Sequence, residues 1–439
     1  MKQTLLVIPH EFLANWALPL WIVAIVLLIV VQSMRFGWSR ETSGLIWIGG
    51  IGALLIRFVL PNVEIWGYSP DPPHDPAPLG LAIRGYGAMF LAALVFGVGL
   101  VLLRAKQMGV DGDVILSLAF WVFLAGIVGA RAFYVIEYWD QFQAGTVTER
   151  LGRMINTTTG GLVVYGSFIG AVIAVAIFSR TTRLPILATA DLVMPGMLLG
   201  LALGRVGCFL NGCCYGGECD WPIAVRFPRT GGAYVDQLET GRLVGLTGRV
   251  VEREPFEIRE VTAVEPESPA ARAGFREGDR YLRTPLDGDA FERAELGIGP
   301  EGSHRFRIVA EDRSKQVDVP LLELPERSLP VHPTQLYATV GALLLCAALW
   351  FAYPFRYGDG EIFGWGVAAY SIVRFFEEQI RVDESGQFGT ELSISQWTGL
   401  LLLPLGIALI ARARLGSGRR AFPPAGLVAD APLDSAVRP

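Results

Sequence analysis

The 439-residue sequence contains no HExxH and no zinc-type pairing of CxxC motifs. Those spacings bring histidine or cysteine ligands to one metal, so their absence argues against a zinc protease or a zinc ribbon. No convincing GxSx serine motif takes their place, and the four histidines, His10, His74, His304 and His332, stand singly. There is no internal repeat. The N-terminus does not read as a cleaved signal peptide, because its apolar stretch is too long and no small-x-small site follows it before Arg35. A basic excess is missing too: Lys and Arg number 37 against 42 Asp and Glu, and nothing suggests a nucleic-acid partner. Charge of either sign is scarce, at 18% of residues, whereas 52% are hydrophobic and the mean hydropathy is +0.42. Several stretches approach the ~20 apolar residues that cross a bilayer. The 51 glycines exceed the usual ~7% and suit close helix packing in lipid.

Nine apolar segments are expected, at 13–33, 42–60, 81–103, 114–136, 161–179, 187–209, 335–353, 361–380 and 396–412. Arg35 and Arg40, Arg104 and Lys106, Arg180 and Arg183, Arg356, and Arg412 with Arg414 follow alternate segments, whereas the loop 61–80 has no basic residue. The positive-inside rule then puts the N-terminus outside and the C-terminus in the cytoplasm. The long connection from about 210 to 334 lies outside on this topology. It turns charged and strand-like, with alternation in 256–283 and a hairpin expected around Glu311–Ser314. The expected organisation is two N-terminal spans in 1–60, a membrane core in 61–239 and 326–414, a small β-rich insert at 240–325, and a disordered Pro/Ala/Gly-rich tail at 415–439.

The polar residues converge at one depth. Arg131, Arg205 and Arg374 fall near the outer ends of segments four, six and eight, while Tyr86, Tyr165 and the group His332, Gln335, Tyr337 fall near the outer starts of segments three, five and seven. Tyr370, Arg374, Glu378 and Arg381 recur at i, i+4, i+8 and i+11 and share one helical stripe. A lone arginine there would snorkel to the interface. Several at one depth cost enough to require a partner or a function. Arginine binds phosphate oxygens in a bidentate fork, and a phospholipid headgroup is the obvious anion in the outer leaflet. Four cysteines, Cys208, Cys213, Cys214 and Cys219, crowd the same region. Small close-packing residues, a disulfide and a metal site all remain open readings of them.

Three long motifs carry a resemblance. GRVGCFLNGCCYG (204–216), HPTQLY (332–337) and YSIVRFFEEQIR (370–381) occur in order with RGYG (84–87), GARAFYV (129–135) and Asp191. Together they resemble the prolipoprotein diacylglyceryl transferase family over about 61–228 and 330–410. The resemblance implies a bacterial inner-membrane enzyme with a seven-helix core and a site open to the outer leaflet. The reaction it implies is transfer of diacylglycerol from phosphatidylglycerol to the lipobox cysteine of a prolipoprotein, with release of glycerol phosphate. Arg205 and Arg374 would be the essential arginines, with Tyr86, Asn211 and Tyr370 in support. Tyr165 stands where the family often has a histidine, so Tyr165, Tyr370 and His332 share the expectation of a catalytic proton carrier. Arg131, Gly216, Gln335 and Glu378 complete the expected lipid-binding set. Cys208 and Cys213 stand where the signature often has Asn and Glu, and Ala338 replaces a glutamate.

Within the insert, SPAARAGFREGD (268–279) is similar to a segment of bacterial PDZ domains, which implies a peptide or protein ligand. The expected fold class is therefore an all-α polytopic membrane protein, a seven-helix transferase core plus two extra N-terminal spans, with an inserted small β-rich PDZ-like domain. No cofactor and no metal are required, because the attacking thiol belongs to the substrate. The alternative expectation is a divergent, non-catalytic relative that binds or transports membrane lipid or anions with the same arginines.

Overall fold

The computed structural model describes residues 4–38, 40–62, 65–68, 76–157, 160–252, 257–286, 290–291, 294, 304–382, 386–387, 389–390, 392–416, 418 and 420–422. The end of the expected disordered tail, 423–439, lies outside the described residues. Among the described residues, eight helices are long and apolar enough to cross a membrane, and the protein is a multi-pass membrane protein. A ninth expected segment is also helical, but Glu361, Arg374, Glu377 and Glu378 make it too charged to count with the other eight. The chain divides into two compact units, Met1–Ala88 with Gly207–Pro333 and Met89–Val206 with Thr334–Pro439.

In the first unit, α1 (His10–Arg35) and α2 (Thr42–Val59) pair as a hairpin. The Trp21 indole N–H donates to the Gly49 carbonyl at 3.0 Å, and a side chain at Gly52 would run into the same ring. Strands β1 (Thr4–Pro9), β2 (Ile65–Tyr68) and β3 (Pro76–Arg84) form an antiparallel sheet in the order β1-β3-β2. This sheet has no clear local signature. β3 carries Pro76 and Pro78, which read as loop, and its partner β1 lies some seventy residues away in sequence.

The insert belongs to the same unit. β4 (Leu246–Glu252), β5 (Ile258–Val264) and β6 (Arg280–Leu282) form one antiparallel sheet, and β7 (Arg305–Val309) pairs with β8 (Gln316–Pro320) across the expected turn. A short α-helix, Pro269–Arg272, follows Ser268, whose hydroxyl accepts the Ala271 N–H. Gly274 continues in the left-handed region at φ 81°, which glycine adopts without steric cost. The buried core runs through Val244, Leu246, Val261, Phe275, Tyr281, Ile308 and Val317. The helix Gly232–Glu239 adds Tyr234 and Leu238 to it, so the packed insert starts a few residues before 240.

In the second unit, we label the remaining helices α3 (Gly85–Gln107, which enters this unit at Met89), α4 (Gly112–Glu137), α5 (Val147–Ile155), α6 (Val164–Thr182), α7 (Ile186–Asn211, up to Val206), α8 (Thr334–Ala352), α9 (Glu361–Glu378) and α10 (Ile394–Leu415). Small residues set their contacts. Gly129 of α4 lies against Gly166 and Gly170 of α6, Gly97 of α3 meets Gly196 of α7, and Gly364 of α9 meets Gly406 of α10. Backbones can approach that closely only where no Cβ intervenes. Asp191, buried in α7, accepts the N–H groups of Gly360 and Phe363, both at 2.7 Å, and so caps the start of α9. Three arginines near the expected cytoplasmic loops are partnered: Arg104 stacks on Trp350 at 3.7 Å, Arg356 donates to the Phe422 carbonyl, and Arg414 pairs with Glu361 at 2.8 Å.

Candidate functional site

Helices α7 and α9 carry Arg205 and Arg374, and α8 packs against both. Two contacts join α7 to α8: the Thr339 hydroxyl lies 3.4 Å from the Ala202 carbonyl, and the Cys346 thiol lies 3.1 Å from the Pro195 carbonyl. Gly366 of α9 lets Met194 of α7 approach where any side chain would block it. Arg205 stands one helical turn beyond Ala202 on α7, and Gln335 stands one turn before Thr339 on α8, fully buried.

On α9 the expected stripe holds through Tyr370, Arg374 and Glu378, and Arg381 lies just past the end of the helix. Arg374 pairs with Glu378 at 2.6 Å and also donates to the Ser395 hydroxyl at 3.2 Å, while Arg381 reaches the same carboxylate at 3.5 Å. All three charged side chains are nearly closed to the exterior, at 11%, 3% and 7%. Buried charges of this kind persist only when paired. Glu377 completes the group, and the sequence reading missed it. Arg205, Arg374 and Arg381 all act electrostatically on Glu377, and its carboxylate faces Gly341 of α8. The signal was present in the FFEEQ segment, where Glu377 has Arg374 three residues before it and Arg381 four after. With both carboxylates ionised, three arginines and two glutamates leave one net positive charge among apolar helices. Tyr370, one turn before Arg374, packs against the apolar core of the unit.

Arg131 and Tyr165 sit on the α4–α6 pair. The Arg131 guanidinium donates to four backbone carbonyls, those of Met154, Gly160, Gly161 and Arg153, at 2.8, 3.0, 2.9 and 2.7 Å. It also lies over the Tyr134 ring at 5.1 Å. Arg131 therefore ties Arg153, Met154, Gly160 and Gly161 to α4. Tyr165 opens α6 with its ring exposed, next to Gly166, which is locked against Gly129.

The other candidates belong to the first unit. The chain leaves α7 through Gly212 at φ 76°, where a Cβ would press on Gly231. It then pairs with the segment before Pro333: the Gly216 N–H donates to the His332 carbonyl and the His332 N–H to the Gly217 carbonyl, both at 2.9 Å. His332 also meets the Trp221 ring edge-on at 5.7 Å. Gly216 is buried and its N–H is committed to this pairing. Asn211 ends α7 and hydrogen-bonds the Cys213 thiol. Gly85 backs onto Leu210 of the same unit, and Tyr86 follows it with an exposed side chain. The sulfur atoms of Cys208, Cys213 and Cys214 lie within 4.8 Å of one another, and all five cysteines are free thiols.

Outside the membrane segments, Arg242 ties the insert to Glu218, and further polar contacts lie within the insert. Arg242 pairs with Glu218 at 2.6 Å and with Glu265 at 3.3 Å. The Tyr234 hydroxyl donates to the Pro325 carbonyl at 2.8 Å, and burial, opposed by nearby Arg229, pushes that phenol up to about 12.

Comparison with known proteins places the chain. The family model described as prolipoprotein diacylglyceryl transferase matches residues 77–412. A phosphatidylglycerol--prolipoprotein diacylglyceryl transferase of Rhodopirellula baltica is 35% identical over 437 residues, covering 92% of this chain and 87% of that protein. The enzyme named phosphatidylglycerol--prolipoprotein diacylglyceryl transferase 2 of Clostridium perfringens is 34% identical over 149 residues, 34% of this chain and 56% of that protein. The Listeria welshimeri transferase is 34% identical over 149 residues, 33% of this chain and 52% of that protein.

Proposed function

The chain belongs to the prolipoprotein diacylglyceryl transferase family, and from that premise we propose that it transfers the diacylglyceryl group of phosphatidylglycerol to the lipobox cysteine of prolipoproteins in the bacterial inner membrane. The observation that carries this reading is the group Arg205, Arg374 and Arg381 with Glu377 and the buried Glu378. Its arginines outnumber its carboxylates, so the group carries net positive charge toward the anionic phosphodiester headgroup.

The chemistry follows from the charges. The substrate thiol attacks the diacylglyceryl carbon, a C–S bond forms, the C–O bond to phosphate breaks, and glycerol phosphate leaves with the thiol proton. A free thiol titrates near ~8.5, and neighbouring arginines favour its thiolate. Arg205 and Arg374 stabilise the charge that grows on the departing phosphate oxygen. Glu377 and Glu378 hold the arginines in place before lipid arrives. Tyr165, Tyr370 and His332 are the candidate proton carriers, and Tyr86, Asn211, Gln335 and Gly216 shape the lipid site. Arg131, with its donors on the Arg153, Met154, Gly160 and Gly161 carbonyls, positions those residues rather than gripping phosphate.

In this reading the site opens to the outer leaflet, and the 240–325 insert lies outside. The PDZ-like insert recruits or orients the prolipoprotein chain by adding an extended segment to a sheet edge. The test is complementation. In cells depleted of their own transferase, this gene restores lipidated lipoprotein, and a tag placed within 240–325 is reached by a membrane-impermeant label. Unlipidated precursor in cells that express the protein would overturn the activity. A tag protected until lysis would overturn the orientation.

A further inference from the structure

Cys208, Cys213 and Cys214 form a cluster that the transfer reaction does not use. Cys208 lies in the last turn of α7. Gly212 and Cys214, both in the left-handed region at φ 76° and 60°, fold the chain back beneath it. The Cys213 N–H donates to the Cys208 carbonyl at 3.2 Å, which closes the loop. Cys214 is one of only four non-glycine residues with positive φ among the described residues, a conformation that L-residues adopt only against steric resistance. The local chain thus accepts strain in a turn whose outcome is three converging sulfurs, none more than 4.8 Å from another.

We propose that Cys208, Cys213 and Cys214 form a binding site for one soft, thiophilic d10 cation, of the Cu(I), Zn(II) or Cd(II) class. Magnitudes separate this from a disulfide. A cation about 2.3 Å from each sulfur sets the sulfurs roughly 3.8–4.0 Å apart, at most about 1 Å inside the 4.8 Å limit that holds them here. A disulfide needs about 2.05 Å between two sulfurs and leaves the third unused. Thiolates select soft cations. Three sulfurs complete a trigonal shell for Cu(I), and Zn(II) or Cd(II) adds one water. Binding exchanges three S–H protons for the cation, and no electron moves. The Asn211 amide that hydrogen-bonds the Cys213 sulfur fixes the orientation of one ligand. All three residues are half-buried, so a cation reaches them from the surface. Cys219 and Cys346 lie outside the group and serve as internal controls.

The test uses the full-length protein, reduced and in detergent, titrated with Cd(II) alone. The expected result is one equivalent per chain, read as sulfur-to-cadmium charge-transfer absorption. Cys208→Ser, Cys213→Ser and Cys214→Ser each weaken binding by about tenfold or more, since each removes one ligand of three, while Cys219→Ser does not. A second measurement needs no variant: Cd(II) protects Cys208, Cys213 and Cys214 of the unaltered protein from alkylation and leaves Cys219 reactive. Absence of the absorption from protein whose thiols are reduced, or equal protection of Cys219, overturns the proposal.

Discussion

Arginine, not lysine, stands at 205, 374 and 381, and the difference is chemical. The Arg374 guanidinium serves Glu378 and Ser395 together while keeping further donors for an anion; a lysine ammonium is a compact point charge without the planar fork. Arg374→Lys and Arg205→Lys should each lower thioether formation by about 100-fold, the cost of losing one preorganised stabiliser of developing charge, with helical content retained. Initial rates with a lipobox peptide check this, and near-normal rates in both variants would remove these residues from the chemistry. At this scale the sequence was informative about the arginines, because residues four apart on a helix share a face. Glu377 was overlooked because it falls off the strict i, i+4 series, and only the packing of α8 against α9 brings its carboxylate to face Gly341. The committed donors of Arg131 could not be foreseen either. Their partners are carbonyls more than twenty residues away, and a carbonyl has no sequence signature.

Helices were legible from their apolar runs, and the β7–β8 turn from its polar residues between strand-like segments. The β1–β3 pairing was not, because strand partners distant in sequence leave no local periodicity. The glycines of the helix pairs act at this scale. A Cβ at Gly166 would meet the Gly129 carbonyl and the Phe133 Cβ, and neither can move without displacing α4. Gly166→Ala should therefore destabilise the protein by about 1–3 kcal/mol, the usual cost of overpacking. Gly99→Ala, where nothing lies within 4 Å, serves as the control, and thermal unfolding in detergent compares the two. Equal stability of the two variants would mean that α4 and α6 are not held at the contact described.

For the whole molecule, the alternation of basic loops and the buried charges of α9 lead to the same reading. Arg104, Arg356 and Arg414 are held by aromatic rings, a carbonyl and a carboxylate, whereas Arg205, Arg374 and Arg381 gather around the two glutamates of α9. Composition alone could not distinguish an enzyme from a lipid carrier, since both need an anion site. The family match and the relatives' names favour the enzyme. The most direct measurement is mass spectrometry of a lipobox peptide incubated with the purified protein in vesicles containing phosphatidylglycerol. The account predicts a peptide heavier by one diacylglyceryl group, thioether-linked at its cysteine, with one glycerol phosphate released per peptide modified and neither product formed by Arg374→Lys at a comparable rate. Phosphatidylglycerol that binds the folded protein but yields neither product would contradict it.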